Sequence, residues 1–478
     1  MEPSRKLTVA IAGATGYVGK ALCRRLAPDF RVIGLTRRPG GAADIPQIEW
    51  RTCDLFSLIE CEQALEDVDV GIYLAHSMIP SARLTQGSFQ DRDLILADNF
   101  ARAAQHRGLR RILYLGGVVP PGPQEQLSRH LASRLEVEQT LGGRGVPLTA
   151  LRASIVIGAH GSTFSIIRTL LSRLRVIPCA AWSRSLTQPV ALLDVLEIFR
   201  YCLDHPAETR GVFDVANPEA VSYRQLLERT ARLMNLRRRF FNVPFCASFA
   251  CKLCLSAVTG ARWALVSPLV ESLRFPMVAT DRRLHDIAGV PGRSLDDAIA
   301  MALADEQKSR VRVPVAHPAE PAHYDVRSVQ RLTLPPGFSA RSVVAEYIRW
   351  LPWIFRWFLR CEEDADGNVR ILTALPGCRC LLLELTYGHD RSPGDDRQVY
   401  FITGGALARK VSLPSRRPRL EFREVLNGRA VLLAIHDYRP TLLPWIYEHT
   451  QAIAHLLVTQ SFARHLRRVA AAQQTPPQ

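Results

Sequence analysis

Three glycines spaced three residues apart, Gly13, Gly16 and Gly19, follow the apolar run Val9–Ala12 and precede the helical stretch Lys20–Leu26. Between a strand and a helix, the first glycine permits a tight turn. The second lets backbone N–H groups approach a diphosphate, and the third lets the helix pack closely on the sheet. In this strand–turn–helix context the pattern predicts a Rossmann-type fold that binds a dinucleotide. The residues expected to hold it are Gly13, Thr15, Gly16, Tyr17, Val18 and Gly19.

Short β-branched apolar runs alternate with amphipathic stretches of helical length through the N-terminal part of the chain. This alternation is typical of βαβ units, which build a parallel sheet with helices on both faces. We therefore predict an α/β fold with a doubly wound parallel Rossmann sheet of about seven strands. The predicted strands are Thr8–Ala12, Arg31–Thr36, Gln47–Thr52, Val70–Ala75, Arg111–Leu115, Leu148–Ile157 and Gly211–Val215.

The end of the second predicted strand indicates which dinucleotide is preferred. An acidic residue there would hydrogen-bond the ribose 2′-hydroxyl of NAD, whereas this chain has Thr36-Arg37-Arg38. Two guanidinium groups suit the additional phosphate of NADP, so we expect NADP(H), with NAD(H) as the alternative cofactor. The alternative is that Arg37 and Arg38 are ordinary solvated surface charges in an arginine-rich chain. Asp54, with Leu55 beside it, follows the third strand and is expected to meet the adenine amino group.

The Gly-x-x-Gly-x-x-Gly spacing and several longer segments resemble the extended and atypical branches of the short-chain dehydrogenase/reductase superfamily. The similarity is to NAD-dependent epimerase/dehydratase-like proteins, and to a bacterial group whose Rossmann domain is followed by a C-terminal domain of unknown function. The segments are IYLAHSM (Ile72–Met78), RRILYLGGVVP (Arg110–Pro120), LSRHLASRLEVEQTL (Leu127–Leu141), LRASIVIG (Leu151–Gly158), QPVALLDVL (Gln188–Leu196) and PLVESL (Pro268–Leu273). The resemblance implies an NAD(P)-dependent oxidoreductase or isomerase.

The resemblance also implies a Tyr-x-x-x-Lys catalytic pair, from which this chain departs. The matching helix has His130 in place of the tyrosine and Arg134 in place of the lysine, and the fifth strand ends in Gly116-Gly117 instead of serine. In one interpretation His130 is the proton donor, since histidine titrates near neutrality, and Arg134 anchors the ribose hydroxyls. In the other, both residues line the cofactor of a non-catalytic NADP(H)-binding sensor or scaffold. We favour the enzyme slightly, because the pocket-forming segments are intact.

Residues after two further strands complete the predicted cofactor site, because doubly wound folds bind ligands at the carboxyl edge of the sheet. Ala75, His76 and Ser77 follow the fourth strand, and Gly116 lies at the end of the fifth. We expect His76 and Ser77 to contact the nicotinamide half of the cofactor or the substrate. For His76, the alternative is a structural role in capping the next loop.

An almost continuous apolar run, Val243–Val258, lies within residues 218–304, which correspond to the part of extended reductases that covers the substrate. Because binding sites are lined to match their ligands, the run predicts a hydrophobic substrate such as a quinone, isoprenoid, polyketide or lipid. The alternative is a peripheral membrane contact helped by Arg237–Arg239.

The chain changes character after residue 304. We predict a Rossmann domain at residues 1–304, a linker rich in proline and alanine at 305–323, and a smaller α+β domain at 324–472. Its predicted strands are Arg370–Ala374, Cys380–Tyr387, Val399–Thr403, Arg419–Val425 and Ala430–Tyr438, and a long C-terminal helix runs from Leu443 to about Ala471. A sheet followed by a long helix loosely resembles the helix-grip or START-type lipid-binding fold. A simple packed α+β domain is the alternative.

Composition argues against several other classes of protein. The net charge is +16, but the basic clusters are short and scattered, so we expect no nucleic-acid partner. Cys251 and Cys254 have no second pair to complete a metal site, and we expect them to be packing residues and the protein to hold no metal. The N-terminal sequence lacks a secretory signal pattern, which predicts a cytoplasmic protein, with membrane association as the alternative. The oligomeric state is not predicted.

Overall fold

The computed structural model describes residues 5–37, 45, 47–76, 84–243, 248–309, 326–356, 358–374, 379–409 and 417–474. The chain divides into two compact units. The first comprises Met1–Ile79 and Ala97–His317, and the second comprises Pro80–Leu96 and Pro318–Gln478.

The strands, in chain order, are β1 (Thr8–Ala12), β2 (Arg31–Thr36), β3 (Glu49–Thr52), β4 (Val70–Tyr73), β5 (Leu84–Gln86), β6 (Arg111–Gly117), β7 (Leu148–Ala153), β8 (Val156–Ile157), β9 (Val176–Cys179), β10 (Leu186–Thr187), β11 (Val190–Ala191), β12 (Gly211–Val215), β13 (Val221–Ser222), β14 (Arg239–Asn242), β15 (Val326–Thr333), β16 (Leu359–Glu363), β17 (Val369–Thr373), β18 (Leu381–Tyr387), β19 (Arg397–Gly404), β20 (Arg419–Val425) and β21 (Ala430–Tyr438). The α-helices are α1 (Tyr17–Leu26), α2 (Leu58–Ala64), α3 (Phe89–His106), α4 (Arg129–Gly142), α5 (Ser162–Arg173), α6 (Leu192–Asp204), α7 (Tyr223–Leu233), α8 (Ser248–Thr259), α9 (Trp263–Ser272), α10 (Arg283–Ile287), α11 (Leu295–Ser309), α12 (Ala340–Ile354), α13 (Pro444–His449) and α14 (Gln451–Gln474).

Seven parallel strands form the main sheet of the first unit, in the order β12–β7–β6–β4–β1–β2–β3. The order reverses at β1, as in doubly wound Rossmann sheets, and this places the ligand crevice outside the carboxyl end of β1. Strand β1 is fully buried because both faces of the sheet are covered. Val9 and Ile11 join one core cluster, whereas Ala10 and Ala12 join the other. The predicted fold class is confirmed.

Several predicted boundaries differ from the observed ones. The predicted strand Leu148–Ile157 is divided into β7 and β8, and between them the hydroxyl of Ser154 donates to the carbonyl of Gln188 at 2.7 Å. Strand β6 continues to Gly117, two residues further than predicted. Helix α11 extends through Ser309, so residues 305–309 of the predicted linker are helical. Residues 310–323 lie outside the described part of the chain.

The sheet of the second unit has the order β16–β17–β18–β19–β20–β21–β15–β5. Strands β16 to β21 form an antiparallel meander, and β15 pairs antiparallel with β21. Helices α12 and α14 share its core, where the rings of Trp350 and Phe462 lie 5.1 Å apart. The predicted sheet with a C-terminal helix is confirmed. The single helix expected from Leu443 is wrong, because non-helical angles at Thr450 (φ −127°, ψ −82°) separate α13 from α14.

The interface between α12 and its sheet is closely filled. An apolar cavity lined by Tyr347, Leu351, Tyr400 and Phe422 has room for about one water molecule. A large lipid cavity of the kind that the helix-grip resemblance implies is therefore not open at this place.

The second unit also contains a segment from between β4 and α3. Strand β5 pairs parallel with residues Val326–Ser328 of β15. The amide of Gln86 donates to the carbonyl of Ala452 at 3.1 Å, and Arg331 pairs with Asp91 at 2.9 Å. Gly87 has a φ of +116°, and a Cβ there would overlap the carbonyl oxygen of Val329. These contacts attach residues 84–91 to the second sheet.

Candidate functional site

The glycine loop after β1 has a backbone geometry that requires its first and third glycines. Gly13 has a φ of +87°, and a Cβ there would lie 3.0 Å from the carbonyl carbon of Leu74. A Cβ on Gly19 would overlap the carbonyl oxygen of Gly13, so α1 packs against the loop only because this side chain is absent. The N–H of Gly16 donates to the carbonyl of Gly13 at 3.0 Å and closes the turn.

The N-terminus of α1 offers donors to an anion. Gly16 caps the helix without a side-chain hydrogen bond, and Thr15 and Gly16 are exposed. The first helical hydrogen bond runs from the N–H of Lys20 to the carbonyl of Gly16. The N–H groups of Tyr17, Val18 and Gly19 therefore have no acceptor within the helix, and the helix dipole favours negative charge here. The loop fits the diphosphate of a dinucleotide.

The side chain of Tyr17 packs against Gly158 and His160 and takes no part in the proposed anion site. Its ring lies so close to Gly158 that a Cβ at that position would overlap the phenol oxygen, and its edge faces His160 at 6.0 Å. Burial raises the pKa of Tyr17. The backbone of Tyr17, and not its phenol, is thus available to a cofactor.

The ends of β2 and β3 carry the residues predicted to select the cofactor. Thr36 is buried and Arg37 is exposed, while Arg38 lies outside the described residues. Asp54 is buried, and its carboxylate accepts the N–H of Phe56 at 3.2 Å. The carbonyl of the next residue, Leu55, accepts the amide of Asn99 at 2.8 Å. Asp54 therefore shapes the loop into α2, and its contact with adenine stays a prediction.

Two histidines meet at the carboxyl edge of the sheet. The ring centroids of His76 and His130 are 5.3 Å apart, and both side chains are partly buried. His76 adjoins Ala75, whose backbone N–H lies 3.1 Å from a Cβ built on Gly13. The structure thus brings His76, His130 and the glycine loop together. Ser77 lies outside the described residues.

Arg134 lies one helical turn after His130 and packs over the end of β6. Its Cγ is 3.7 Å from a Cβ built on Gly117. The phenol of Tyr114 donates to the carbonyl of Arg134 at 3.2 Å. A Cβ on Gly116 would lie 2.8 Å from the ring of Tyr114, so Gly116 is required by packing and borders the site.

Sequence reasoning missed the ion pair that holds α4 against the sheet. Arg152 of β7 donates to both carboxylate oxygens of Glu138, at 2.8 and 2.6 Å. Glu138 follows His130 and Arg134 at four-residue intervals, which places all three on one face of the helix. This four-residue spacing was the sequence signal that could have located Glu138. Glu138 and Arg152 are positioning residues for the helix that carries His130.

The two cysteines of α8 lie in different surroundings. Cys254 is exposed, so the prediction that it is a packing residue is wrong, whereas Cys251 is half-buried and disulfide-bonded. Among the described residues, no group of three or more His, Cys, Asp or Glu side chains could hold a metal ion.

The comparisons with known proteins agree with the Rossmann fold. Residues 9–216 match the model of the NAD dependent epimerase/dehydratase family. We call these matched residues, 208 of 478, the epimerase/dehydratase domain. The epimerase/dehydratase domain is thus an NAD(P)-binding Rossmann domain of the short-chain dehydrogenase/reductase type, and a further C-terminal region follows it.

One curated relative and two solved structures show similarity to part of this chain. The auxiliary protein GraX of Staphylococcus aureus is 32% identical over 113 residues, which are 23% of this chain and 37% of GraX. The chain therefore matches little more than a third of that relative. A nucleoside-diphosphate-sugar epimerase of Staphylococcus aureus is 12% identical with a TM-score of 0.50, over 62% of this chain and 100% of that chain. An NADPH-dependent quinone oxidoreductase of Escherichia coli is 18% identical with a TM-score of 0.49, over 61% and 98%.

Among the described residues, no helix combines the length and the apolar character needed to cross a bilayer.

Proposed function

We propose that the protein is an NADP(H)-dependent oxidoreductase that acts on a hydrophobic small molecule, with His130 as the proton-transferring residue. The observation that carries this proposal is the pairing of His130 with His76 beside the glycine loop, with Arg134 over the end of β6. The family resemblance implies a catalytic tyrosine and lysine at the positions of His130 and Arg134. A bound nicotinamide supplies the hydride.

The roles of this chain's residues follow from their positions. The N–H groups at the start of α1 hold the diphosphate, and Arg134 holds the nicotinamide ribose hydroxyls. His130 lies one turn earlier on α4 and gives a proton to the substrate oxygen, a role that histidine fills more often than any other residue. His76 flanks the same space from the end of β4.

The elements beside α4 support a hydrophobic substrate. Helix α9 is tied to the start of α4 by a hydrogen bond of 2.8 Å between the hydroxyls of Ser128 and Ser272 and by an Arg129–Glu271 ion pair at 2.8 Å. Helices α8 and α9 together carry few charged residues. An apolar lobe beside the catalytic helix suits an apolar ligand.

The experiment is to measure NADPH binding by fluorescence and then NADPH oxidation with a panel of quinones, enones and ketones. We expect His130→Ala to lower kcat by about 100-fold or more, because general acid catalysis contributes about that much, and to leave NADPH affinity within about threefold. His106→Ala, at an exposed position of α3, is the matched control and should behave as the wild type.

A second candidate function is a non-catalytic NADP(H) sensor or scaffold. It is favoured by the absence of the family's tyrosine, since His130 occupies that position, and by Gly116-Gly117 in place of serine. Tight NADPH binding without consumption on any substrate, unchanged by His130→Ala, would establish the sensor and refute the oxidoreductase.

The preference for NADP(H) rests on the arginines after β2. Replacing Arg37 and Arg38 by alanine should weaken NADPH binding by about tenfold or more, because charge-assisted hydrogen bonds to the 2′-phosphate are lost. NADH affinity should change little. Arg107→Ala with Arg110→Ala, at exposed positions of the same unit, controls for the loss of two positive charges. If the protein with Arg37→Ala and Arg38→Ala still prefers NADPH to NADH, these arginines do not set the cofactor preference.

A further inference from the structure

One face of α8 is apolar and exposed. Phe249 is 65% exposed and Leu253 is 54% exposed. Ala250, Cys254 and Ala257 are exposed on the same side, since these positions recur at helical spacing. Trp263 of α9, 41% exposed, lies beside them with its ring centroid 5.5 Å from that of Phe249. We call the surface formed by these six residues, Phe249, Ala250, Leu253, Cys254, Ala257 and Trp263, the α8 face.

The one charged side chain of α8 is turned away from this face. The ammonium group of Lys252 lies 2.7 Å from the carboxylate of Glu271 on α9 and is only 12% exposed. Glu271 also pairs with Arg129. The α8 face is therefore free of charge, and a contiguous exposed apolar surface of this kind marks an interaction site.

Arginines lie at the end of α8 and on the neighbouring elements. The guanidinium of Arg173 donates to the carbonyl of Val258 near the end of α8 at 2.6 Å, and exposed Arg262 directly precedes α9. Arg175, Arg237 and Arg239 are exposed near the end of α5, where the N–H of Arg239 donates to the carbonyl of Arg175 at 3.1 Å.

The two sequence segments that supply these arginines contain no acidic residue. Residues 139–193 and residues 229–270 contain arginines but neither aspartate nor glutamate. Helices α5 and α8 and strands β9 and β14 all come from these two segments. The α8 face thus adjoins segments whose sequence carries basic residues and no acidic ones.

We propose that the α8 face docks on an anionic membrane surface. An apolar helix face with arginines beside it inserts into the boundary between headgroups and acyl chains, and each arginine is attracted to anionic lipid. Helix α8 has twelve residues and is about 18 Å long, so it lies in the membrane plane and does not cross it. In this orientation Trp263 lies at the depth of the lipid headgroups, where tryptophan is enriched in membrane proteins. The docking does not depend on the proposed oxidoreductase activity.

The test is flotation of the full-length protein with vesicles of phosphatidylcholine alone and with vesicles that also contain phosphatidylglycerol. We expect binding to the anionic vesicles, weakened by salt because the charges are screened. Phe249→Asp with Leu253→Asp should lower binding at least tenfold. Met301→Asp, at an exposed position on α11, should bind as the wild type does.

Charge is tested separately. Arg237→Gln with Arg239→Gln should lower binding to anionic vesicles at least tenfold, since each arginine near the surface is worth about fivefold. Arg107→Gln with Arg110→Gln should not change it. Thermal unfolding and NADPH binding of each variant show that the first unit is still folded.

Three results would overturn the proposal. One is the absence of wild-type binding to anionic vesicles, and another is equal binding by the aspartate variant. The third is a dimer in sedimentation velocity that Phe249→Asp with Leu253→Asp dissociates, because a second copy of the chain would then cover the α8 face.

Discussion

Glu271 lies between two cations from different helices, Arg129 of α4 and Lys252 of α8. Burial alone would raise the pKa of its carboxyl. The hydrogen bonds and charges of the two cations outweigh burial and lower the pKa to about 2. A carboxyl whose pKa is lower in the folded state stabilises the fold above its unfolded pKa of about 4.3. This contribution is lost as the pH falls through about 2.

We predict that Glu271→Gln lowers the free energy of unfolding at pH 7 by about 1–3 kcal/mol, because Lys252 and Arg129 lose a charged partner. The difference from wild type should shrink as the pH falls below about 4.3. Urea unfolding of both proteins at several pH values measures this difference in the free energy of unfolding. Glu228→Gln, in the more exposed pair with Arg224 on α7, is the control and should cost at most about 0.5 kcal/mol. A pH-independent loss for Glu271→Gln would contradict the assigned pKa.

The sequence located His130 and Arg134 because both occupy positions at which the family has a tyrosine and a lysine. It did not locate Arg152, since an arginine in a buried strand gives no sign of its partner. The pair with Glu138 depends on the register of β7 beside β6 and on the rotation of α4. These are properties of the assembled fold.

At the level of elements, the contact between α1 and the glycine loop is a constraint set by the backbone itself. Gly19 faces the carbonyl oxygen of Gly13 with no room for a Cβ, and this oxygen is backbone that cannot rotate away. In contrast, a Cβ on Gly117 meets only ordinary van der Waals contacts.

We predict that Gly19→Ala displaces α1 from the loop and lowers dinucleotide affinity by at least 100-fold, because the N–H groups at the helix start no longer converge on the diphosphate. Gly117→Ala, the matched control, should lower affinity by no more than about threefold, since its new methyl group fits. Fluorescence titration with NADPH measures both. A Gly19→Ala protein that binds NADPH normally would contradict the role of the loop.

Strands were predictable where their residues form apolar or alternating runs. The bounds of β1, β2, β12, β20 and β21 match the prediction. Strand β16, with Arg360, Glu362 and Glu363, was missed because its composition is largely polar. Strand β5 was missed because three residues carry too little periodicity.

At the scale of the whole molecule, the second unit is built from two separate parts of the chain. Residues 80–96 supply β5, which covers the edge of β15, and Asp91, which pairs with Arg331. An uncovered sheet edge promotes aggregation, and loss of the ion pair between Asp91 and Arg331 removes a contact that joins the two parts.

We predict that residues 318–478 expressed alone aggregate or unfold without a sharp transition. The same fragment preceded by residues 80–96 on a flexible Gly/Ser linker should unfold cooperatively. Circular dichroism during urea unfolding measures the difference. The fused fragment with Gly87→Ala is the control and should resemble the bare fragment, because a Cβ at Gly87 overlaps the carbonyl oxygen of Val329. Cooperative unfolding of the bare fragment would show that residues 80–96 are dispensable.

The sequence by itself determined the Rossmann fold, the dinucleotide loop and the sheet-plus-helix character of the C-terminal region. Each depends on local signals: glycines at fixed offsets, apolar periodicity and the alternation of elements. Only the tertiary structure decided that His76 meets His130, that Lys252 turns inward to leave the α8 face uncharged, and that residues 84–86 join the second sheet. These depend on which surfaces meet after the chain folds, and contacts between residues distant in sequence leave no local pattern.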